Sequence, residues 1–164
     1  MSFFVIIRGP AGIGKTTIAK RLAKKLKGSR ISFDKIMEKH KLDKIEGTCI
    51  REPQFVQANE ITISRAKKKL SKGKAVFFDG CFYHKSQIRH LIKNLRYPHF
   101  AFTLKADVQT CIARDKKRGK NKIGAQRIKA VYNLVSRSDY GIVINVSNKT
   151  EKEVLKKIIS YLPP

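Results

Sequence analysis

The fold is decided by residues 3–17, FFVIIRGPAGIGKTT, in which an apolar run leads into the pattern Gly-x-x-x-x-Gly-Lys-Thr. A helical pattern follows over residues 18–26, where apolar positions recur among lysines. A loop of this composition between a buried strand and the start of a helix is typical of a phosphate-binding loop. The alternative is a glycine-rich turn that carries a surface lysine.

Three glycines in this loop allow backbone conformations that residues with a Cβ disfavour. Successive N–H groups can then turn inward on an anion at the positive end of the following helix. Lys15 is expected to reach the β- and γ-phosphates of ATP, and the Thr16 hydroxyl is expected to bind Mg²⁺. The predicted nucleotide-binding residues of the loop are Gly9, Ala11, Gly12, Ile13, Gly14, Lys15, Thr16 and Thr17.

The chain is strongly basic: its 164 residues include 37 Lys and Arg against 12 Asp and Glu, for a formal net charge of +25. Such an excess favours a polyanionic partner, because binding to nucleic acid releases condensed counterions. We therefore expect RNA or DNA as the acceptor substrate. The alternative is a thermophilic or halotolerant surface, although such surfaces add acids as well as bases.

The cysteines Cys49, Cys81 and Cys111 are widely separated, odd in number and without a Cys-x-x-Cys pair. This usage predicts neither a disulfide framework nor a zinc site, and it fits a reducing compartment. No apolar run approaches the length of a membrane span, and the first residues lack the basic start of a signal peptide. We expect a soluble cytoplasmic protein without membrane association, and the sequence leaves its oligomeric state open.

Strand and helix patterns alternate along the rest of the chain. Strands are predicted at residues 30–34, 75–80, 99–104 and 141–146, and helices at 35–39, 54–72, 84–95, 107–117, 123–137 and 150–161. This alternation specifies a parallel sheet with helices on both faces, a three-layer α/β/α fold. We expect one domain over residues 1–164.

Two carboxylates end predicted strands. Asp79 follows the apolar run of residues 75–78, and an Asp at this place beside a phosphate loop orients the Mg²⁺ hydration shell. Asp34 ends the strand of residues 30–34, at the edge of an open α/β sheet where ligands bind. We predict Asp34 as the base for an acceptor hydroxyl. The alternatives are a helix cap for Asp34 and a strand-ending turn for Asp79.

A basic segment follows the fourth strand, where residues 114–122 contain six Lys or Arg. Arg114 and Arg118 are four residues apart, and this spacing places them on one helical face from which both can point at phosphates. Arginine suits that role because its planar fork binds phosphate oxygens in pairs. The lysines of the segment are expected to be solvated or to contact nucleic acid.

Together these motifs resemble the P-loop kinase superfamily, and within it the small AAA_33, zeta-toxin and polynucleotide 5′-hydroxyl kinase-like kinases. The resemblance covers nearly the whole chain but is carried by residues 9–16, Asp34, Asp79 and residues 114–122. It implies a five-stranded sheet in the order 2-3-1-4-5 and a short basic lid at about residues 114–123. It also implies that Lys15, Asp34, Arg114 and Arg118 are catalytic. It further implies that adenine contacts the base of the lid, which includes Arg114, and the loop that includes Asn148.

The neighbourhood of Asp34 departs from the polynucleotide kinases, which often carry an arginine shortly after the base; here only lysines follow. Three functions therefore remain open. The first is an ATP- and Mg²⁺-dependent kinase for the 5′-hydroxyl of a polynucleotide or a tRNA-linked hydroxyl, with Phe82, Tyr83 and Tyr97 as candidate stacking surfaces. The second is a small-molecule kinase, which leaves the net charge unexplained. The third is a P-loop ATPase or assembly factor.

Overall fold

The structure is a computed structural model that describes residues 1–164 and contains five strands and seven α-helices. The strands are β1 Phe4–Arg8, β2 Ser29–Ser32, β3 Val76–Asp79, β4 His99–Lys105 and β5 Ile142–Asn145. The helices are α1 Lys15–Lys25, α2 Phe33–Lys39, α3 Glu52–Leu70, α4 Lys85–Leu95, α5 Val108–Lys116, α6 Ala125–Ser136 and α7 Glu151–Ile159. No helix is long and apolar enough to cross a membrane.

All strand pairs are parallel, and the sheet order is β2-β3-β1-β4-β5. This result confirms the predicted α/β fold and strand order. β1 occupies the centre, where Phe4 is in register with Val76 of β3 and with His99 of β4. All five residues of β1 are buried, as expected of a central parallel strand covered on both faces.

The side chains of β1 alternate between two hydrophobic cores. Val5 and Ile7 belong to the core beneath α1, α5 and α7, whereas Phe4 and Ile6 belong to the core beneath α3 and α4. Successive side chains of a strand point to opposite faces, so one strand supports both layers. This packing holds the loop after β1 at the carboxyl edge of the sheet.

The boundary between β2 and α2 differs from the sequence prediction. The predicted second strand was too long: β2 ends at Ser32, and Asp34 lies in the first turn of α2 without making a capping hydrogen bond. The cap alternative for Asp34 is therefore wrong. Two other caps are confirmed, since Asp107 accepts from the Thr110 N–H and Thr150 forms a capping box with Glu153.

Candidate active site

The loop of residues 9–14 contains glycines with positive φ, a backbone conformation that residues with a Cβ disfavour. Gly12 has φ +82° and Gly14 has φ +102°, and a Cβ on Gly12 would lie 2.6 Å from the Cys111 carbonyl oxygen. Close approach of α5 to the loop therefore demands glycine at this position. Lys15 is buried, and its Nζ donates to the Pro10 carbonyl at 2.7 Å. The Lys15 side chain therefore lies against the phosphate-binding loop, where it is predicted to bind phosphate together with the loop N–H groups.

Thr16 and Asp79 are brought together by the parallel pairing of β1 and β3. The Thr16 hydroxyl donates to Asp79 Oδ2 at 3.0 Å. Arg30 from β2 forms a bidentate pair with the same carboxylate, Nε to Oδ1 at 2.6 Å and Nη2 to Oδ2 at 2.9 Å. The Asp79 side chain is only 1% exposed. A hydroxyl and a fixed carboxylate beside the phosphate loop form a donor set that fits Mg²⁺ and its bound water.

A cavity of about 350 Å³, here called the larger cavity, opens beside the loop. Its wall contains both apolar and polar side chains, as is typical of small-molecule sites. Its polar lining residues include Lys15, Thr16, Asp34, Glu38, Asp43, Gln87, Arg118 and Arg127, and its apolar ones include Phe33, Met37, Ile50, Phe55, Phe82 and Tyr83. Two of the three candidate stacking residues, Phe82 and Tyr83, therefore line this cavity. The third, Tyr97, packs against the core of α3 and α4.

Asp34 faces this cavity with the predicted catalytic cations. Asp34 is exposed through the cavity, and the protein atoms that form the cavity wall partly desolvate its carboxylate. Burial raises the pKa of Asp34 above its ordinary value, an effect that the positive charge of Lys15 opposes and the negative charge of Asp79 reinforces. Arg118 and Arg30 also favour the ionised form. A carboxylate with a raised pKa is a stronger proton acceptor, as a general base requires.

One wall of the larger cavity is the loop between α2 and α3, which is tied down by side chains from three other elements. Gln54 Nε2 donates to the carbonyls of Leu42 and Lys44, each at 3.0 Å. The Tyr83 hydroxyl accepts from the Ile50 N–H at 2.9 Å. Arg127 of α6 donates to the Thr48 carbonyl at 3.1 Å. These contacts fix the loop that contributes Asp43 and Ile50 to the cavity wall.

A smaller cavity of about 190 Å³ lies on the other side of the loop. Its lining residues are Ile13, Gly14, Thr17, Ile18, Leu104, Arg114, Val146, Lys149, Glu151 and Val154. This composition joins the phosphate loop, the base of the lid and the loop after β5, which are the places predicted for adenine contacts. Asn148 lies in that last loop with φ +57° but is not among the lining residues.

The two lid arginines do not point together, contrary to the helical-face interpretation. α5 ends at Lys116, so Arg118 lies beyond the helix, where it lines the larger cavity. Arg114 lines the smaller cavity and donates to the Ile13 carbonyl of the phosphate loop at 2.8 Å. The buried Asp115 anchors the segment between them by accepting from the N–H groups of Ile123 and Gly124.

Sequence reasoning missed two residues that hold the site in place. Arg30 belongs to no sequence motif, and it binds Asp79 only because β2 lies next to β3. Arg8 is fully buried directly before the loop, where it donates to the Thr103 hydroxyl and to the carbonyls of Phe82, Val135 and Ser138. Burial lowers the pKa of Arg8. A charged residue at the end of an apolar strand was the available signal, since such a residue is rarely buried without partners.

A family model described as an AAA domain, AAA_33, matches residues 4–137. The chain belongs to this family. The match spans most of the chain, including the phosphate loop, Asp34, Asp79 and the lid. No curated protein is significantly similar to this AAA_33 chain in sequence.

Solved structures of P-loop kinases share the fold of this AAA_33 chain at low identity. An APS kinase from Mycobacterium tuberculosis, in complex with AMPPNP and APS, has a TM-score of 0.73 at 16% identity, covering 97% of this chain and 96% of that chain. A sugar kinase from Janibacter sp. has a TM-score of 0.75 at 16% identity, covering 98% and 94%. A shikimate kinase from Acinetobacter baumannii, in complex with shikimate, has a TM-score of 0.63 at 18% identity, covering 98% and 91%. The chain therefore belongs to AAA_33 and has the fold of these kinases, as the sequence predicted.

Proposed function

We propose that this chain is a P-loop kinase that transfers the γ-phosphate of ATP to a hydroxyl of a small molecule that binds in the larger cavity. The observation that carries this proposal is that Lys15, Asp34 and Arg118 line the same cavity of about 350 Å³. That volume is in the range of metabolite and drug sites. The tied-down loop between α2 and α3 contributes Asp43 and Ile50 to the cavity wall, which favours a compact acceptor.

The nucleotide is assigned to the phosphate loop and the smaller cavity. Lys15 supplies the positive charge for the β- and γ-phosphates, and the loop N–H groups supply hydrogen bonds. Thr16 would hold Mg²⁺ directly and Asp79 would hold its water, since both oxygens of Asp79 already pair with Arg30. When bound, the metal neutralises charge on the phosphate oxygens.

Asp34 is assigned the proton of the acceptor hydroxyl. The hydroxyl oxygen bonds to the γ-phosphorus, the bond from that phosphorus to the bridging oxygen breaks, and ADP leaves with the electron pair. The released proton passes to the Asp34 carboxylate. Arg118 faces the same cavity and is assigned to the charge that spreads over the transferred phosphoryl oxygens.

The acceptor itself is expected to be uncharged. If Lys15 and Arg118 serve phosphate and Asp34 serves the proton, the remaining charged residues of the larger cavity are Glu38, Asp43 and Arg127, with a net negative charge. Gln87 also lines the cavity, and its Oε1 is buried without a hydrogen-bond partner. A second donor on the acceptor would satisfy this oxygen, since an unpaired buried acceptor is costly. These features favour an acceptor with several hydroxyl or amide groups.

A polynucleotide 5′-hydroxyl or a tRNA-linked hydroxyl is the second candidate acceptor. The net charge of +25 favours it. However, the larger cavity has nearly balanced charges in its lining, and a strand end would have to enter it past the loop between α2 and α3. The structural neighbours, which include a sugar kinase and a shikimate kinase, also favour a small acceptor. We therefore assign the small molecule first.

Transfer of labelled γ-phosphate across an acceptor panel tests this proposal. The panel contains sugars, nucleosides, sugar acids, nucleoside monophosphates, 5′-hydroxyl RNA and DNA, total tRNA and water, each with ATP and Mg²⁺. Label on an uncharged small acceptor is the expected result, and Lys15→Ala should reduce it ~100-fold or more because a phosphate clamp is lost. Lys20→Ala, on the exposed face of α1, is the matched control and should transfer normally.

Each other outcome of the panel contradicts a definite part of the proposal. Label on a polynucleotide end would replace the small acceptor by the second candidate. Release of label to water alone would place the protein among the ATPases. Turnover that survives Lys15→Ala would overturn the assignment of the phosphate loop.

A further inference from the structure

The excess of positive charge has a definite place in the fold. Strands of a parallel sheet begin at one edge, and the helices that connect them run back and end at that same edge. In this structure the chain segments at this edge meet through hydrogen bonds: Phe4 N–H to Pro98 O, Ser29 N–H to Ala75 O, and Ser2 Oγ to Leu70 O. The ends of α1, α3 and α4 therefore lie together at the amino edge of the sheet.

Twelve cations lie at or just after these helix ends. They are Lys24, Lys25 and Lys27 after α1; Lys67, Lys68, Lys69, Lys72 and Lys74 after α3; Lys93 and Arg96 after α4; and Lys156 and Lys157 on α7. We call this set the basic edge. The two α7 lysines are included because α7 runs back from the carboxyl end of β5; they line a groove along β5 with Val143, Asn145, Lys149 and Glu153. All of them are exposed except the half-buried Lys69.

The basic edge has one neighbouring acid, Glu153, which lines the same groove as Lys156 and Lys157. None of the 12 acidic residues lies in residues 24–30, 67–76, 93–99 or 156–162. None of the twelve cations forms a salt bridge; the five that exist involve Arg21, Arg30, Arg51, Lys105 and Arg118. Lysine in a last helical turn is favoured by the helix dipole, which accounts for one or two per helix. Twelve unpaired cations on one edge repel each other, so the dipole alone does not account for them.

The basic edge is remote from the chemistry. The phosphate loop, Asp34 and Asp79 lie at the carboxyl ends of the strands, and the five residues of β1 separate the two edges by roughly 15 Å. A polyanion on the basic edge would therefore not deliver a hydroxyl to the larger cavity. Twelve of the 37 cations that suggested a nucleic-acid acceptor therefore lie where an acceptor cannot react.

The dimensions and composition of the basic edge fit a nucleic-acid backbone. Five strands span about 19 Å across the sheet, and a nucleic-acid strand presents a phosphate about every 3.4 Å over that length. The large apolar side chains exposed near this edge are Met1, Val143 and Tyr161, and Lys157 lies 5.1 Å from the Tyr161 ring centroid. Three scattered apolar side chains among twelve cations form no continuous apolar face for insertion into a membrane.

We propose that the basic edge is a docking surface for nucleic acid, which it binds through backbone phosphates without reading bases and without phosphorylating the bound strand. This surface is separate from the site of the proposed function and does not depend on it. The bound nucleic acid would localise the kinase rather than serve as its substrate. Its affinity should fall steeply with salt, by a slope of about 0.7 per phosphate contact for a single strand.

The test compares two variants with equal charge loss. The basic-edge variant carries Lys67→Gln, Lys68→Gln, Lys69→Gln, Lys72→Gln and Lys74→Gln. The control variant carries Lys35→Gln, Lys39→Gln, Lys44→Gln, Lys129→Gln and Lys152→Gln, all exposed and outside the basic edge. Binding of a 20-nucleotide RNA and a 20-base-pair DNA duplex is measured over a salt series by fluorescence anisotropy. Vesicles containing phosphatidylserine are assayed in parallel.

The basic-edge variant should lose about tenfold more affinity for nucleic acid than the control variant and should show a salt slope smaller by about 3. ATP binding and thermal unfolding should match the wild type in both variants. Equal losses in the two variants would overturn the proposal, since net charge rather than this surface would then govern binding. Binding to vesicles but not to RNA or DNA would also overturn it, as would the absence of nucleic-acid binding at physiological salt.

Discussion

Arg30 and Asp79 form a bidentate ion pair between neighbouring strands, with Nε–Oδ1 and Nη2–Oδ2 distances of 2.6 and 2.9 Å. The Asp79 side chain is 1% exposed and that of Arg30 is 15% exposed, so the pair is largely withdrawn from water. Because Asp79 also accepts from Thr16, Arg30 fixes the carboxylate that orients the predicted metal ligand. Arg30 is therefore a positioning residue of the site.

Replacing Arg30 by Met should lower the free energy of unfolding by about 3 kcal/mol, because it leaves the buried Asp79 charge without its partner. Denaturant unfolding measures the loss. Arg21→Met is the control, since Arg21 pairs with Glu151 at an exposed site and should lose at most about 1 kcal/mol.

The double variant Arg30→Met/Asp79→Asn separates this charge effect from lost packing. It should recover part of the stability that Arg30→Met loses, because the uncompensated charge is removed. A double variant as unstable as the sum of the two single variants would contradict the coupling.

Asp34→Asn should reduce phosphate transfer by about 10²- to 10⁴-fold, the usual contribution of a general base. Affinity for ATP, measured by calorimetry, should stay near the wild-type value because Asp34 lines the larger cavity and not the smaller one. Asp34→Glu keeps the acid and serves as the comparison. An equal fall in ATP affinity would instead make Asp34 a metal-linked or structural residue.

The same substitution should change stability with a definite pH dependence. The pKa of Asp34 is raised by burial above 3.8, so ionising the folded protein costs more than ionising the unfolded chain. The stability that this shift contributes is present below the unfolded pKa and is lost as the pH rises through the folded pKa. Asp34→Asn should therefore unfold at a higher temperature than the wild type at neutral pH. The difference should shrink as the pH falls toward 4, and a constant difference would contradict the raised pKa.

Arg114 and Arg118 should differ in their kinetic effects because they face different cavities. Arg118→Ala should lower kcat by about 100-fold, since it removes a donor assigned to the transferred phosphoryl group. Arg114→Ala should mainly raise the KM for ATP, by about tenfold, because it removes the hydrogen bond to the Ile13 carbonyl. Steady-state kinetics with ATP varied separates the two, and identical profiles would contradict the assignment.

Gly12→Ala should destabilise the protein more than Gly73→Ala. Both glycines have positive φ, +82° and +77°, so both substitutions carry a conformational cost of about 1 kcal/mol. Only at Gly12 would the new Cβ meet backbone, at 2.6 Å from the Cys111 carbonyl oxygen, whereas nothing lies within 4 Å at Gly73. Thermal unfolding measures the difference, and equal losses would show that α5 can move away from the loop.

The sequence by itself determined the sheet, the phosphate loop and most helix boundaries. Apolar runs, alternation and capping residues such as Thr150 act over a few neighbouring positions, so they can be recognised along the chain. The same is true of Gly12 and Lys15, whose roles belong to one local motif. The sequence pattern placed Asp34 at the end of a strand, whereas it lies in the first turn of α2. A strand that ends at Ser32 and one that ends at Asp34 show the same order of apolar and polar residues, so the pattern could not distinguish them.

Only the tertiary structure decided which distant residues meet. Arg30 and Asp79 are 49 residues apart in the chain and pair because β2 lies beside β3. Arg114 and Arg118 separate because α5 ends between them. The +25 charge could be counted in the sequence, yet the placement of twelve cations on the edge opposite the cavity follows from α1, α3, α4 and α7, which end where the strands begin. Side-chain contacts depend on strand order and packing, which bring together residues that no local pattern connects.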